Sequence, residues 1–266
     1  SRADLQQQVN VTPIVAEQIV SNGSMEGYSN ASFPANVPSG QLLTISYYDR
    51  YRINLSSIPT GVQTSPKGQL TGGKTRILGT NQWLRSETFY DQRYRVVKII
   101  SDNHKGGQDI VEMEYRNAIS PLVQFTKMSH TSSDFPGTLV MEETQAYDHM
   151  DRPTATHLVI KENDVQQFNG TLVKNEYNEI GELASKALNT DAQKLDYAYN
   201  MRGWLTKIND VSSLGSSDKF GMVLKYDNAG TQSQYNGNIG TMSWKSIGAT
   251  GNNNLQTFHY SYDPMS

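Results

Sequence analysis

Leu195-Asp196-Tyr197-Ala198-Tyr199-Asn200-Met201-Arg202-Gly203-Trp204-Leu205-Thr206-Lys207-Ile208-Asn209-Asp210 decides how the rest of the chain is read. Leu195, Tyr197 and Tyr199 alternate with Asp196, Ala198 and Asn200, the two-residue period of a strand with one apolar face. At Asn200 the alternation stops. Asn200 can cap its own turn through its side chain, and three residues later Gly203 accepts positive φ. Trp204, Thr206 and Ile208 then line one side of a second strand. The unit is a β-hairpin with aromatics beside its turn, most economically a type I turn closed by a glycine bulge. It recurs along the chain, so the expected fold is all-β, an array of antiparallel hairpins forming a large curved or spiralling sheet.

Composition agrees with a thin sheet that has one wet face. Hydrophobic residues make up 36% of the 266 residues, and mean hydropathy is -0.59, both low for a compact globule. Tyr (15) outnumbers Phe (7) and Trp (3), and a tyrosine can lie on a sheet with its hydroxyl in water. Lys and Arg (23) nearly balance Asp and Glu (26), for a net charge of -3. Neither nucleic acid nor an anionic membrane has an electrostatic reason to bind. The absence of cysteine excludes disulfides, thiolate metal sites and cysteine nucleophiles. No apolar run approaches membrane-spanning length, so no membrane insertion of this segment is expected. Ser1-Arg2-Ala3-Asp4 does not resemble a signal peptide, and Tyr262-Asp263-Pro264-Met265-Ser266 stops as if inside a turn, so the chain reads as a piece of a longer polypeptide.

Residues 1–40 read as an irregular N-terminal segment and 41–266 as the hairpin array. Thr12 as N-cap with Pro13 at the first position suits a short helix to Val20, whereas the β-branched Val9, Val11, Ile14, Val15, Ile19 and Val20 suit two strands bent at Pro13. Residues 22–40 are rich in Gly, Ser, Asn and Pro and read as loop. Copies of the hairpin signature follow at Tyr47-Tyr48-Asp49-Arg50-Tyr51, Tyr90-Asp91-Gln92-Arg93-Tyr94 and, in degenerate form, Tyr115-Arg116. More stand at Tyr147-Asp148-His149-Met150-Asp151, Tyr177-Asn178-Glu179-Ile180-Gly181, Tyr226-Asp227, Tyr235-Asn236 and Tyr260-Ser261-Tyr262-Asp263.

The pattern Tyr-Asp/Asn, two free positions, Gly, then a polar and an apolar residue resembles the YD repeat of the Rhs family. Residues 47–51, 75–94, 197–208 and 234–244 look like the version common in large secreted proteins of Bacteroidota, and the resemblance covers residues 40–266. It implies long antiparallel hairpins side by side in a wide sheet that spirals into a hollow shell. In bacterial members of this polymorphic-toxin family the shell encloses a toxic C-terminal domain, and distant relatives occur in insecticidal toxin complexes and neuronal adhesion receptors. The segment's partners would then be other parts of the same polypeptide, and its location extracytoplasmic, secreted or at the cell surface. Tyr51 and Tyr94 stand where the family has Gly, so those turns are expected to take another geometry. Asp151 in the same place tolerates the left-handed region.

Gly68-Gln69-Leu70-Thr71-Gly72-Gly73-Lys74-Thr75 matches the P-loop expression, but no buried strand precedes it and Gly79-Thr80-Asn81 follows within one helical turn. It reads as a connection between hairpins, and no cofactor is expected. His104, His130, His149, His157 and His259 lack metal-ligand spacing, and no serine sits in a nucleophile-elbow sequence. Glu112 and Glu114 share a strand face while Glu142 and Glu143 oppose each other, the pattern of solvent-facing charge. Arg93, Arg95 and Lys98 form a basic stripe of the kind that guards a sheet against edge-to-edge pairing. Asp263-Pro264 lies in a repeat turn, although the shells of such proteins often end in an aspartate-dependent cleavage site, and it is assigned no catalysis.

Two classes of function remain beside a weakly supported hydrolase. One is a non-catalytic structural segment that encloses or presents another domain. The alternative is a carbohydrate- or protein-binding adhesion module, for which Tyr197, Tyr199 and Trp204 are the candidate ligand-facing aromatics. No catalytic or metal-binding residue is nominated.

Overall fold

A computed structural model of the chain describes residues 6–7, 17–20, 26–32, 36–215, 218–247 and 254–263. Its regular elements are 15 strands and two single-turn 3-10 segments, at Ser39–Gln41 and Gly230–Gln232. The chain is all-β, and its paired strands are antiparallel. The choice between helix and bent strands around Thr12 and Pro13 falls outside the described residues, as does Pro264.

The chain divides into two compact units, Ser1–Asp109 and Ile110–Ser266. In the first, β1 (Thr44–Tyr48), β2 (Leu70–Arg76), β3 (Trp83–Tyr90) and β4 (Val96–Asp102) pair in sequence order. β5 (Gln108–Tyr115) spans the division. The second holds β6 (Val123–Ser132), β7 (Phe135–Tyr147), β8 (Pro153–Glu162), β9 (Val165–Tyr177), β10 (Leu183–Leu188), β11 (Gln193–Tyr199), β12 (Leu205–Ile208), β13 (Phe220–Lys225), β14 (Thr241–Ser246) and β15 (Gln256–His259). Each of these pairs with the next.

The same Asx turn closes several of the hairpins. At Asn200 the backbone amide donates to the Trp204 carbonyl and the Gly203 amide returns to the Asn200 carbonyl, each at 3.0 Å. The Asn200 side-chain oxygen accepts the amides of Arg202 and Trp204, and Gly203 sits at φ +75°. Asn178 repeats the arrangement with Ile180, Gly181 and Glu182, and Asp148 with Met150, Asp151 and Arg152. Each turn is closed by a register shift in the adjoining ladder, the bulge that the one-residue excess requires. Asn103 forms a further example with Lys105, Gly106 and Gly107, although no tyrosine precedes it.

Several expectations need correction. Tyr94 takes the left-handed position itself, at φ +63°, because Asp91 caps the amides of Arg93 and Arg95 as the other turns are capped. The caps fix the backbone, and the tyrosine accepts the strain. Tyr51 does lie in a different geometry: positive φ falls on Asp49 instead, whose side chain caps Gly68, and the chain makes a long excursion to β2 in place of a hairpin. The P-loop lookalike is no connection; from Leu70 onward it is β2, paired on both sides, where a Cβ on Gly72 would lie 2.7 Å from Ile53 and 2.9 Å from the Ser86 carbonyl oxygen. Tyr235-Asn236 ends no strand and belongs to the single connection from β13 to β14. Arg93 and Arg95 occupy a tip, where Arg95 pairs with Asp91 at 2.7 Å, so they guard no edge.

Side-chain alternation places the core. Along β1, Ile45 and Tyr47 are buried while Thr44, Ser46 and Tyr48 are exposed. Ile45, Tyr47 and Ile53 form a cluster against which Tyr28, Leu42, Leu55 and Trp83 pack. Nearby, Phe89 is fully enclosed with the Tyr51 ring 4.8 Å away. Glu87, 1% exposed, lies in this core and spends its carboxylate on the Asn54 and Leu55 amides. A buried carboxylate persists only with such donors. In the second unit burial reaches Val140, Leu158, Leu224 and Tyr226 but little else, as a sheet wet on one face requires.

Two substitutions at the left-handed position should move stability in opposite directions. Tyr94→Gly relieves strain and should gain about 1 kcal/mol, whereas Gly203→Val should lose roughly 1–3 kcal/mol. Urea denaturation measures both, and a loss on Tyr94→Gly would show that the ring's contacts outweigh its backbone.

Candidate functional site

The aromatics nominated from sequence sit in the second unit, where β11 turns into β12. Tyr197 and Tyr199 share one face of β11 and are half-buried. Trp204 falls just before β12 rather than within it. Its ring stands 5.1 Å from that of Tyr226, with the Arg202 guanidinium 4.9 Å over it. A Cβ on Gly237 would come within 3.2 Å of the indole, so Gly237 is what lets the connection pass over it. The Tyr199 hydroxyl donates to the Leu183 carbonyl at 3.0 Å. The Tyr199 hydroxyl and the Trp204 ring are thus engaged with neighbouring segments of the sheet.

The Tyr199 bond belongs to a series that sequence reading missed. Tyr90 donates to the Leu70 carbonyl at 2.8 Å, Tyr147 to Val123 at 2.8 Å and Tyr177 to Pro153 at 3.0 Å. Tyr226 donates to Leu205 at 2.9 Å and Tyr262 to Ile239 at 2.9 Å. Tyr90, Tyr147, Tyr177 and Tyr199 close β3, β7, β9 and β11, Tyr226 directly follows β13, and each bonds the carbonyl of the first residue of the strand before its own. Such a pairing is invisible in a sequence because the acceptor is backbone and carries no residue-type signal. Burial raises the phenols of Tyr90, Tyr197, Tyr199 and Tyr226 above their ordinary value, which keeps them protonated.

A cleft of about 450 Å³ lies in the first unit, lined by Glu17, Tyr28, Leu42, Ile45 and Tyr48 among others. The Glu17 carboxylate accepts the hydroxyls of Ser29 and Ser32 and the amides of Ala31 and Ser32. Burial pushes its pKa up, but these donors outweigh it and hold the group at about 2, against an ordinary 4.5. With four donors on its oxygens, Glu17 works as a clamp on the loop. Tyr28 stacks on Tyr47 at 5.6 Å and donates to the Ser46 carbonyl at 2.6 Å, fastening the N-terminal segment to β1.

The remaining ionisable candidates stay apart. His157 contacts Asn169 at 2.8 Å and Thr171 at 3.4 Å across β8 and β9, while His259 faces Thr241 at 3.2 Å. His149 is in the Asp148 turn, where Asp151 is paired with Arg116 rather than with the imidazole. Glu142 pairs with Lys161 at 2.7 Å, and Glu143 accepts from Gln145. Lys74 pairs with Glu26 at 2.6 Å from within β2. Among the described residues, no three His, Asp or Glu side chains converge as metal ligands do.

The clamp and the stacked tyrosines give the first unit a pH window with two edges. Glu17 is lowered on folding, so its contribution is complete above about 4.5 and is lost as pH falls towards about 2. Burial pushes the Tyr47 phenol up from 10.0 to about 12, so its contribution is complete below 10.0 and is lost as pH rises towards about 12. Amide exchange of Ala31 and Ser32 should accelerate through the acid edge in the wild type and already be fast in Glu17→Gln. Tyr47→Phe should flatten the alkaline edge alone. An unchanged acid profile in Glu17→Gln would remove the clamp from the account. Among known proteins, no family model and no curated sequence matches the chain.

Proposed function

We propose that the chain is a non-catalytic structural segment of an exported Rhs/YD-repeat protein, part of a β-shell that encloses or presents a C-terminal, toxin-like domain. The supporting observation is where the distinctive side chains are spent. The repeated tyrosine hydroxyls end on backbone carbonyls of the preceding strand, and the repeated Asp and Asn side chains end on backbone amides of their own turn. Residues used in this way build a sheet and have nothing left for a substrate. On this reading the partners are other parts of the same polypeptide, and the location is extracytoplasmic.

The test separates enclosure from ligand binding. Tyr199→Phe should cost about 1 kcal/mol by removing the bond to the Leu183 carbonyl, with amide exchange rising first in the adjoining strands, and Tyr177→Phe should cost less because Asn175 still donates to the Pro153 carbonyl. In a longer polypeptide that carries a C-terminal domain, that domain should resist added protease only while this segment is folded. Binding of the wild type to a glycan panel, lost in Trp204→Ala with stability retained, would replace the shell with the adhesion module.

A further inference from the structure

The dipeptide Asn-Gly stands at Asn22-Gly23, Asn169-Gly170 and Asn236-Gly237. The first lies outside the described residues. Such a pair carries chemistry of its own: the backbone nitrogen after an asparagine can attack the side-chain carbonyl carbon, and glycine puts no Cβ in the way and lets that peptide turn freely. What separates the other two pairs is the fold around them.

Asn169 lies within β9, in register with Val159 of β8. Its side-chain oxygen meets His157 Nε2 at 2.8 Å, and its side-chain nitrogen donates to Gln166 at 3.3 Å. Folding that side chain back onto the Gly170 nitrogen requires leaving the extended conformation that the ladder imposes. Asn236 is exposed and outside any strand, in the connection from β13 to β14. Its side-chain oxygen accepts the Asn238 amide at 3.1 Å, and the loop closed by that bond contains both the side-chain carbonyl carbon and the Gly237 nitrogen. The two atoms that must meet are therefore held in one turn, and a donor is already aimed at the oxygen on which charge develops.

Other asparagines make the same cap without the glycine. Asn178 and Asn200 each accept the amide two residues on, but Glu179 and Met201 follow them. Gly237, in contrast, has no freedom to become anything else. It sits at φ +99°, and a Cβ there would come within 3.2 Å of the Trp204 indole. Packing over Trp204 thus keeps the labile pair in the sequence.

We infer that Asn236 is a site of spontaneous covalent modification, deamidation through a cyclic imide with water as the co-reactant. The Gly237 nitrogen bonds to the side-chain carbonyl carbon, the bond from that carbon to the side-chain nitrogen breaks, and the nitrogen leaves as ammonia carrying the proton from Gly237. Water then opens the imide at either carbonyl, giving aspartate or isoaspartate. Either product places a negative charge beside Tyr235, whose carbonyl accepts Arg202 at 3.3 Å. Isoaspartate also adds a methylene to the main chain, which displaces Gly237 from the indole.

Incubation of the full chain in mildly alkaline buffer, followed by peptide mapping with mass spectrometry, tests this. Asn236 should convert from amide to acid at least about tenfold faster than Asn169, because conversion at Asn169 first costs ladder bonds. Unfolding in urea should bring the two rates together by freeing Asn169. In the converted chain the amides of Gln234 and Gly240, bonded to the Tyr226 and Lys225 carbonyls at 2.9 and 2.8 Å, should exchange faster. Asn236→Gln, whose longer side chain closes a less favourable ring, should keep its mass and its slow exchange over the same period. Equal conversion of Asn169 and Asn236 in the folded chain would refute the inference, as would slower conversion of Asn236 folded than in urea.

Discussion

A tyrosine hydroxyl bonded to the carbonyl of the preceding strand is the interaction on which the rest depends. A sheet with one wet face cannot hold itself by a deep core, and in the second unit only a few side chains are fully buried. Each tyrosine combines ring area over the sheet with a bond that locks the end of one strand to the start of its neighbour. Beside it an Asp or Asn fixes the turn by taking two amides of its own loop. Together these groups leave the backbone of the hairpin tip satisfied.

The first unit shares the tyrosine bond and the capped turn at Tyr90 and Asp91 but adds a second device. There the chain leaves β1 at Asp49 on a long excursion, and enclosed groups take over: Phe89 under Tyr51, Glu87 on two amides, Glu17 on the N-terminal loop. Two of these anchors are carboxylates whose oxygens meet backbone amides, the same charge-assisted bond that Asp148 makes in its turn. Capping of backbone donors by acidic or amide side chains therefore recurs at hairpin tips in both units, and in loops of the first as well.

Alternation and turn chemistry carried most of the architecture, since both are local. Asn178 and Asn200 announce their turns through the Gly three residues on, and their hairpins form where the spacing places them. Tyr94 shows the limit of that logic. Propensity argued against positive φ, yet the Asp91 caps decide the backbone, and capping is itself a local signal that outranks the residue at the strained place. Gly72 shows another limit: its need for close approach to Ile53 comes from a distant segment, so a glycine-rich string imitated a phosphate loop. Of the nominated aromatics, alternation put Tyr197 and Tyr199 on one face, but the contact of Trp204 with Tyr226 and Gly237 depends on a later hairpin.

The position of the tyrosine bond frees the length of the hairpins it secures. Both partners lie at the rim where the turns are, so nothing in the bond measures how far the strands run before they reverse. β8 and β9 have 10 and 13 residues, while β10 and β11 have 6 and 7, yet Tyr177 and Tyr199 make the same bond. The turn rim thus behaves as a spine and the hairpins as ribs of independent length. Insertions or deletions at the far ends of the ribs, taken in pairs across two strands and in even numbers along each, preserve both register and facing. Descendants of such a sheet can widen or narrow locally by small genetic steps without renegotiating its attachment points.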